Sequence, residues 1–463
     1  MTMNLATRHA RKHSHSSLPP GPRLPRALQT AWLAYRPASL LRRCHARYGD
    51  TFTVRTHGLG TVVYVADPAA VKQVFTGDRD VFHAGEANAA MEPVLGPHSL
   101  LLLDGDRHLR ERRWLLPPFH GEAVRAYAAL IEEIAVHEVE SWPVGKTFPV
   151  KPRMQAITLE VILRAVIGVR DPERLERLRK LLPKLLDFSV LDMWSVWIYP
   201  GVIDTPLGRW HRAMRVQPEV DRLLFDEIQD HRRNPEGRDD VLATLVAARD
   251  DDGDPLSDRA LRDHVVTLLL AGHETTTTGL AWAFERLIRH PRVLRRLRDE
   301  IAGGDGAYLA AVVDETLRVR PVIWGVWRRL TAAVEIAGHR LPAGTTVEPS
   351  ISLLHASDAF ADADEFRPER FLGDRSPLPY TFIPFGGGPR RCPGASFATV
   401  EMATVLRAVL ARVELQTTGA RPEQPRVHHV TLVPSRGGRI TVERRLQPAA
   451  RPDEPAAACP HAA

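Results

Sequence analysis

A mainly helical chain with β-hairpins near both ends is the fold class this sequence predicts. Two long runs carry the helical part. Asp258 to about Arg289 and Ala395 to Val413 both have helical length and apolar spacing, and the second contains no Gly or Pro. Short β-rich runs carry the rest: Thr51 to Val65 alternates around Gly58-Leu59-Gly60, and Val427 to Glu443 turns at Ser435-Arg-Gly-Gly438. The 463 residues suffice for a large core, or for two lobes around a cofactor, because single cores stop growing near roughly 250–300 residues.

Composition narrows the function classes. A hydrophobic fraction of 44% and a charged fraction of 25% are those of an ordinary soluble globular protein. The 62 Lys+Arg against 56 Asp+Glu leave a net charge of only +6, with no basic block interleaved with aromatics, so nucleic acid is not an expected partner. Cys44, Cys392 and Cys459 are widely spaced and form no C-x-x-C, which argues against a disulfide framework or zinc cluster and suits a reducing cytoplasm. Residues 1–18 carry Arg8, Arg11, Lys12 and three histidines but no apolar run, so no signal peptide or membrane anchor is expected. The expected organisation is a disordered tail over 1–24, closed by Pro19-Pro20-Gly21-Pro22, one catalytic unit over 25–446, and a disordered Pro/Ala-rich tail over 447–463.

Taken in order, the segments read as follows. Phe82 to Leu103 has few regular signals, as binding loops often do. In Gly105-Asp-Arg-His-Leu-Arg-Glu-Arg-Arg-Trp114, His108 and Arg112 stand four apart and share one helix face; without other information that is a solvated basic helix. Met154 to Val169 has the spacing of a core helix. Leu175 to Arg233 reads as two or three helices joined around the aromatic, Pro-broken Trp194–Gly201, a core connection or an entrance lid. Asp250-Asp-Asp-Gly-Asp254 lacks the distal Glu of a calcium loop and reads as a solvated turn. In the long helix that Ser257 is placed to cap, Ala271-Gly-His-Glu-Thr-Thr-Thr-Thr278 breaks helix propensity, and such breaks fall mostly at functional sites. Glu315-Thr-Leu-Arg318 sets opposite charges three apart and is a weak signal alone.

The most informative stretch is Phe382-Ile-Pro-Phe-Gly-Gly-Gly-Pro-Arg-Arg-Cys-Pro-Gly-Ala395. Three glycines permit a tight turn aiming N–H groups at Cys392, and the following helix end favours a thiolate, with Pro393 suited to its first turn. A lone cysteine here is a buried small hydrophobe or a reactive group. Phe385, Gly388, Arg390, Cys392 and Gly394 fit F-x-x-G-x-R-x-C-x-G, and in this the chain resembles the haem-binding loop of cytochrome P450 monooxygenases, where a cysteine thiolate ligates the iron.

The resemblance extends over roughly residues 25–446 and gives distant segments roles. It implies a soluble bacterial-type P450 fold, a large helical lobe and a small β-rich lobe with haem b between them. Cys392 would be the axial ligand. His108 and Arg112 would hold a haem propionate, and so would Arg328 of Pro321–Arg328, or Arg329 if the register slips by one. Ala271, Gly272, Glu274 and Thr275 match the family's A/G-G-x-E/D-T pattern. There Gly272 would let the macrocycle or dioxygen approach the helix, Thr275 would hydrogen-bond bound dioxygen, and Glu274 would relay protons. His273, at the variable position, is read as packed or solvated. Glu315 and Arg318, with Arg370 of Phe366–Phe371, would form a buried structural network. Phe385, Arg390 and Gly394 belong to the loop, and Trp324 would narrow the pocket. The segment 82–103 would border substrate.

The function so implied is insertion of one oxygen atom from dioxygen into an apolar small molecule, in a cytoplasmic monomer without membrane anchor. No GxGxxG fingerprint or reductase-sized extension is present, so electrons are expected from ferredoxin and ferredoxin reductase. Arg110, Arg113 and Arg391 are the candidate docking charges, or simply solvated surface. The alternatives are a hydrogen-peroxide-driven peroxygenase and a non-catalytic haem sensor or carrier.

Overall fold

The computed structural model describes residues 18–187, 209–249, 253–373 and 377–446. The tails 1–17 and 447–463, the Trp194–Gly201 connection and residues 250–252 of the acidic run lie outside the described residues. The chain forms a helical body beside a five-stranded sheet, as expected for a mainly helical fold with a small β-rich part.

Five helices position the site: α1 (Gly105–Leu115), α2 (Lys151–Val161), α3 (Asp258–Leu287), α4 (Ala307–Val319) and α5 (Ala395–Leu410). The long helix α3 is the axis. Ser257 caps it, the hydroxyl accepting from the Ala260 N–H at 3.2 Å, and its residues are buried on nearly every side from Ala260 to Leu287. The helix α3 lies inside the body, packed against α2 and α5 within one large core. Among the described residues no helix is long and apolar enough to cross a membrane.

The sheet has strands β1 (Thr51–Thr56), β2 (Gly60–Val65), β3 (Phe82–His83), β4 (Arg328–Leu330) and β5 (Thr346–Pro349), in the order β1-β2-β5-β4-β3. The expected N-terminal hairpin is β1–β2, with Phe52 opposite Tyr64 and their rings stacked at 5.3 Å. The chain leading into it is also packed. The Pro19 carbonyl accepts from the Thr53 hydroxyl at 2.7 Å, and the Pro20 carbonyl from the Thr53 N–H at 2.9 Å. Pro19 and Pro20 therefore lie against β1, within the stretch expected as a tail.

Four other expectations are corrected. The helix over Met154–Val169 is α2 followed by a π-helical turn at Ile162–Val166, a feature that the continuous helical spacing does not signal. The C-terminal hairpin does not turn at Ser435–Gly438. Its strands are β6 (Pro425–His428) and β7 (Thr431–Pro434), turning at His429-Val430, while Arg439–Arg445 pairs with Thr147–Pro149 and Val413–Leu415. Both sites have turn-compatible spacing, but the double glycine outweighs a His-Val pair on propensity alone. Trp324 does not narrow a cofactor pocket: it is buried with Leu33, Leu41, Phe52 and Leu353 beneath β1. Pro393 precedes the helix it was expected to enter, because Gly394 is the N-cap of α5.

A buried ionic cluster ties helix Pro172–Leu185, helix Arg209–Arg233 and helix Val241–Ala247 together. His231 lies between Asp240, at 3.0 Å, and Glu227, at 3.3 Å, and Arg174 and Arg238 close on Glu227. Burial alone would lower the His231 pKa, but hydrogen bonds to Asp240 and Glu227 override it and hold the pKa up at about 9. A folded-state pKa above the unfolded value adds stability that is complete below about pH 6.5 and lost as pH rises through about 9. Thermal stability should accordingly fall by up to about 1.4 kcal/mol per pH unit from pH 6.5 to 9. His231→Gln should flatten that decline in melting curves; an identical slope in the variant would remove His231 as its source.

Candidate functional site

The loop before α5 closes on itself through the Cys392 N–H, which donates to the Phe385 carbonyl at 2.9 Å. Glycine is required in it. Gly388 has φ +64°, and a Cβ there would stand 2.0 Å from the Phe75 carbonyl oxygen, so a side chain would break the packing of the loop on helix Pro68–Thr76. Cys392 presents accessible surface, while desolvation by the groups packed around it pushes its thiol above the ordinary range. The Gly394 N–H and the charges of Arg112 and Arg391 pull the other way without prevailing. The helix-end N–H and the two cations thus act toward the thiolate, in the expected direction, against the desolvation. A coordinated metal ion, by contrast, deprotonates a cysteine outright.

Around the loop gathers an excess of buried positive charge. Helix α1 turns His108 inward, almost fully buried, and sends Arg112 to the Arg391 carbonyl at 2.6 Å. Arg328, at the start of β4, is buried with its guanidinium 5.8 Å from the Phe75 ring centre, whereas Arg329 is half-buried and turned toward Glu86. Arg390 reaches Asp104 and the carbonyls of Leu100 and Leu103. Burial lowers the His108 pKa to about 3, and Arg390, Arg112 and Arg328 lower it further in that order. Burial and mutual repulsion also bring Arg328 and Arg390 down to about 10, with Asp104 opposing. Three arginines and a histidine thus share one nearby acid. An anion with two carboxylates would balance such a cluster, and the two propionates of haem have that charge.

On α3 the accessible positions near the centre are Leu268, Leu270, Ala271, Gly272 and Thr275, in a helix otherwise sealed. Ala271 and Thr275, four apart, share a face, and the Thr275 hydroxyl donates to the Ala271 carbonyl at 2.5 Å. At Gly272 a Cβ would lie 3.0 Å from Ile162 Cδ1, so its small size also serves the packing of α3 on the π-turn. His273 is packed, buried with Nε2 3.3 Å from the Gln155 carbonyl.

Glu274 points off the Thr275 face into a polar corner that the sequence did not reveal. Lys151 Nζ stands 3.0 Å and His428 Nδ1 3.1 Å from its Oε1, and Gln155 Nε2 donates to Oε2 at 3.3 Å. Burial pushes the Glu274 carboxyl up, but the His428 hydrogen bond and the charges of Lys151, His428 and His429 outweigh it and bring the pKa to about 2. A second acid missed in the sequence, Glu401 on α5, is buried beside Thr276, and burial pushes it up to about 8. Its only sequence signal was a carboxylate inside an apolar helical run.

Beneath the loop, Glu315 receives Arg318 through two bonds of 2.7 and 2.9 Å, Arg370 at 3.1 Å and the Arg367 N–H at 2.7 Å. Arg318 also donates to the His355 carbonyl at 2.8 Å, and the His355 ring accepts from the Ile383 N–H at 2.9 Å. Burial first, and then Arg318, lower the His355 pKa to about 3, so the ring is neutral and able to accept. The residues that resemblance grouped as a structural network therefore meet, and the network reaches the Cys392 loop through His355.

The segment 82–103 is held by Asp104, whose carboxylate accepts from the N–H groups of Ala84, Gly85 and Glu86. It walls a cavity of about 650 Å³ together with Phe225, Arg259 and Arg262. That cavity opens beside the first turns of α3, and neither Cys392 nor Thr275 lines it.

A profile of the cytochrome P450 family matches residues 18–442. Putative cytochrome P450 135B1 of Mycobacterium tuberculosis (strain H37Rv) is 48% identical over 462 residues, covering 97% of either chain. Putative cytochrome P450 137 of the same organism is 38% identical over 451 residues, covering 95% of this chain and 94% of its own. Among solved structures, retinoic acid bound cyanobacterial CYP120A1 superposes with a TM-score of 0.81 at 25% identity, covering 93% of this chain and 100% of its own. The chain belongs to the cytochrome P450 family, and is a haem monooxygenase by that membership.

Proposed function

We propose that this monooxygenase inserts one atom of dioxygen into an apolar small molecule, using electrons from a separate ferredoxin and its reductase in the cytoplasm. The observation that carries the reading is the accessible Cys392 beside a neutral, buried His108 and the guanidiniums of Arg112, Arg328 and Arg390, with Asp104 as their nearby acid. When bound, thiolate-ligated haem iron supplies dioxygen activation. In this reading Cys392 would ligate the iron, the three guanidiniums of Arg112, Arg328 and Arg390 and the neutral His108 ring would hold the propionates, and Phe385, Arg390 and Gly394 would shape the loop. Ala271 and Thr275 form the wall where dioxygen and substrate meet.

Proton delivery falls to two neighbours on different faces of α3. The Thr275 hydroxyl lies on the accessible stripe, able to donate once it leaves the Ala271 carbonyl. Glu274 is ionised at neutral pH by its partners, so it takes a proton and passes it on rather than storing one. An apolar substrate is supported by the uncharged positions Leu268, Leu270 and Ala271 on that stripe, and by the retinoic acid held by one solved relative. The cavity under segment 82–103 is the proposed substrate entrance.

Three measurements test this. The reduced protein with carbon monoxide should show the long-wavelength Soret band of thiolate-ligated haem, and Cys392→His should abolish it; a band unchanged in the variant would overturn the ligand assignment. Thr275→Ala should keep haem content and substrate affinity while diverting most reducing equivalents from product to peroxide. Equal coupling of NAD(P)H to product would take Thr275 out of proton delivery. Finally, Arg110, Arg113 and Arg391 are all exposed, and a basic patch steers an acidic partner at low salt. Arg110→Glu with Arg113→Glu should slow reduction by ferredoxin severalfold at low ionic strength and leave reduction by dithionite alone. A parental ferredoxin rate, insensitive to salt, would place docking elsewhere.

A further inference from the structure

We propose that Glu274, His428 and His429 form a binding site for a zinc-like divalent transition-metal ion, which withdraws Glu274 from proton delivery when occupied. The regulatory half rests on the function proposed above; the site itself does not. One ligand atom from each residue lies within 4.8 Å of the others, in a corner where Glu274 is buried and the histidines are half-buried. Two imidazoles and a carboxylate, with a fourth position open, are a donor set that zinc accepts. Tetrahedral ligands with bonds near 2.0–2.1 Å stand roughly 3.3 Å apart. His428 Nδ1 and Glu274 Oε1 are already 3.1 Å apart, so closing the set asks chiefly for His429 to draw in.

The backbone is shaped to bring the two histidines together. Neighbours along a strand point to opposite faces, so His428 and His429 in regular β-structure would be separated. Instead His429 takes φ +53°, a left-handed conformation costly for a residue with a Cβ, and its ring lies 3.9 Å from the ring of His428. The carboxylate is steadied from behind by Gln155 at 3.3 Å, as outer partners steady metal ligands elsewhere. Lys151 occupies the same oxygen at 3.0 Å and is the built-in competitor. A dication must displace that ammonium, so affinity is set by the balance between them. Once bound, the metal holds the Glu274 carboxylate and so keeps it from taking up a proton.

The test is a zinc titration of the haem-loaded protein, stripped with chelator, against a chromophoric zinc indicator. The full chain also carries His9, His13, His15, Cys459 and His461, which offer competing ligands. The expected result is one zinc whose affinity falls at least tenfold in His428→Ala and in His429→Gly, and rises severalfold in Lys151→Met. His429→Gly is the decisive variant, since glycine suits the left-handed backbone and should be no less stable than the parent while losing the ligand. Zinc K-edge absorption should report two imidazoles and one carboxylate. Equal affinity in parent and His429→Gly, or no change in Lys151→Met, would overturn the site. Zinc should also raise the peroxide-to-product ratio of the parent but not of His429→Gly. Zinc bound at these ligands with the ratio unchanged would overturn the regulatory half while the edge spectrum upheld the site.

Discussion

An excess of buried positive charge around one sulfur is the constraint on which the rest of this structure depends. His108, Arg112, Arg328 and Arg390 come from α1, the start of β4 and the loop before α5, three segments far apart in sequence. Burial first, and the neighbouring guanidiniums after it, push the His108 pKa down to about 3 and the Arg328 and Arg390 guanidiniums to about 10. Removing charge from water without a partner is strongly unfavourable, and among the described residues Asp104 is the acid that answers it. An arrangement that repels itself is stable only if a rigid frame holds it and an anion completes it. Both lobes contribute to that frame: α1 leans on the loop through Arg112, and the sheet delivers Arg328.

The frame's stiffness comes from a second buried ionic group of opposite character. Around Glu315 every charge has a partner, and Arg318 has four, the last being the Glu365 carbonyl at 2.9 Å. Loss of one member of such a set costs about 3–5 kcal/mol, whereas apolar replacement of the whole would be near neutral. Its value is therefore geometric. It fixes the His355 carbonyl, His355 fixes the Ile383 N–H, and the loop that presents Cys392 starts there. A satisfied network on one side holds an unsatisfied one on the other.

What the sequence made legible follows from the range of the forces involved. The caps, the hairpin at Gly58–Gly60 and the length of α3 are local, and each appears where spacing placed it. The Cys392 loop was legible because its glycines answer a steric demand, seen at Gly388 against Phe75, that no other residue meets. One reading failed because the deciding contact was distant: Trp324 was judged by its neighbours in the chain, but its partners are Leu33 and Phe52.

The polar corner at Glu274 was hidden for a further reason. Residues i and i+1 on a helix diverge by about 100°, so adjacency of Glu274 and Thr275 in sequence separates them in space. Thr275 keeps the accessible face beside Ala271, while Glu274 turns toward α2 and the β6–β7 hairpin, where Lys151 and His428 wait. The pair is therefore a junction between two environments rather than a single acid–alcohol unit. A proton reaching Thr275 from Glu274 must cross the helix surface, by water or by a carboxylate swing that breaks its bonds to Lys151 and His428. Those bonds hold the carboxyl near a pKa of about 2, and the same bonds resist the swing. Charge on the residues facing Glu274 thus sets both how readily the carboxylate accepts a proton and how freely it moves, and a half-exposed histidine at a strained turn is the member of that set most open to solvent.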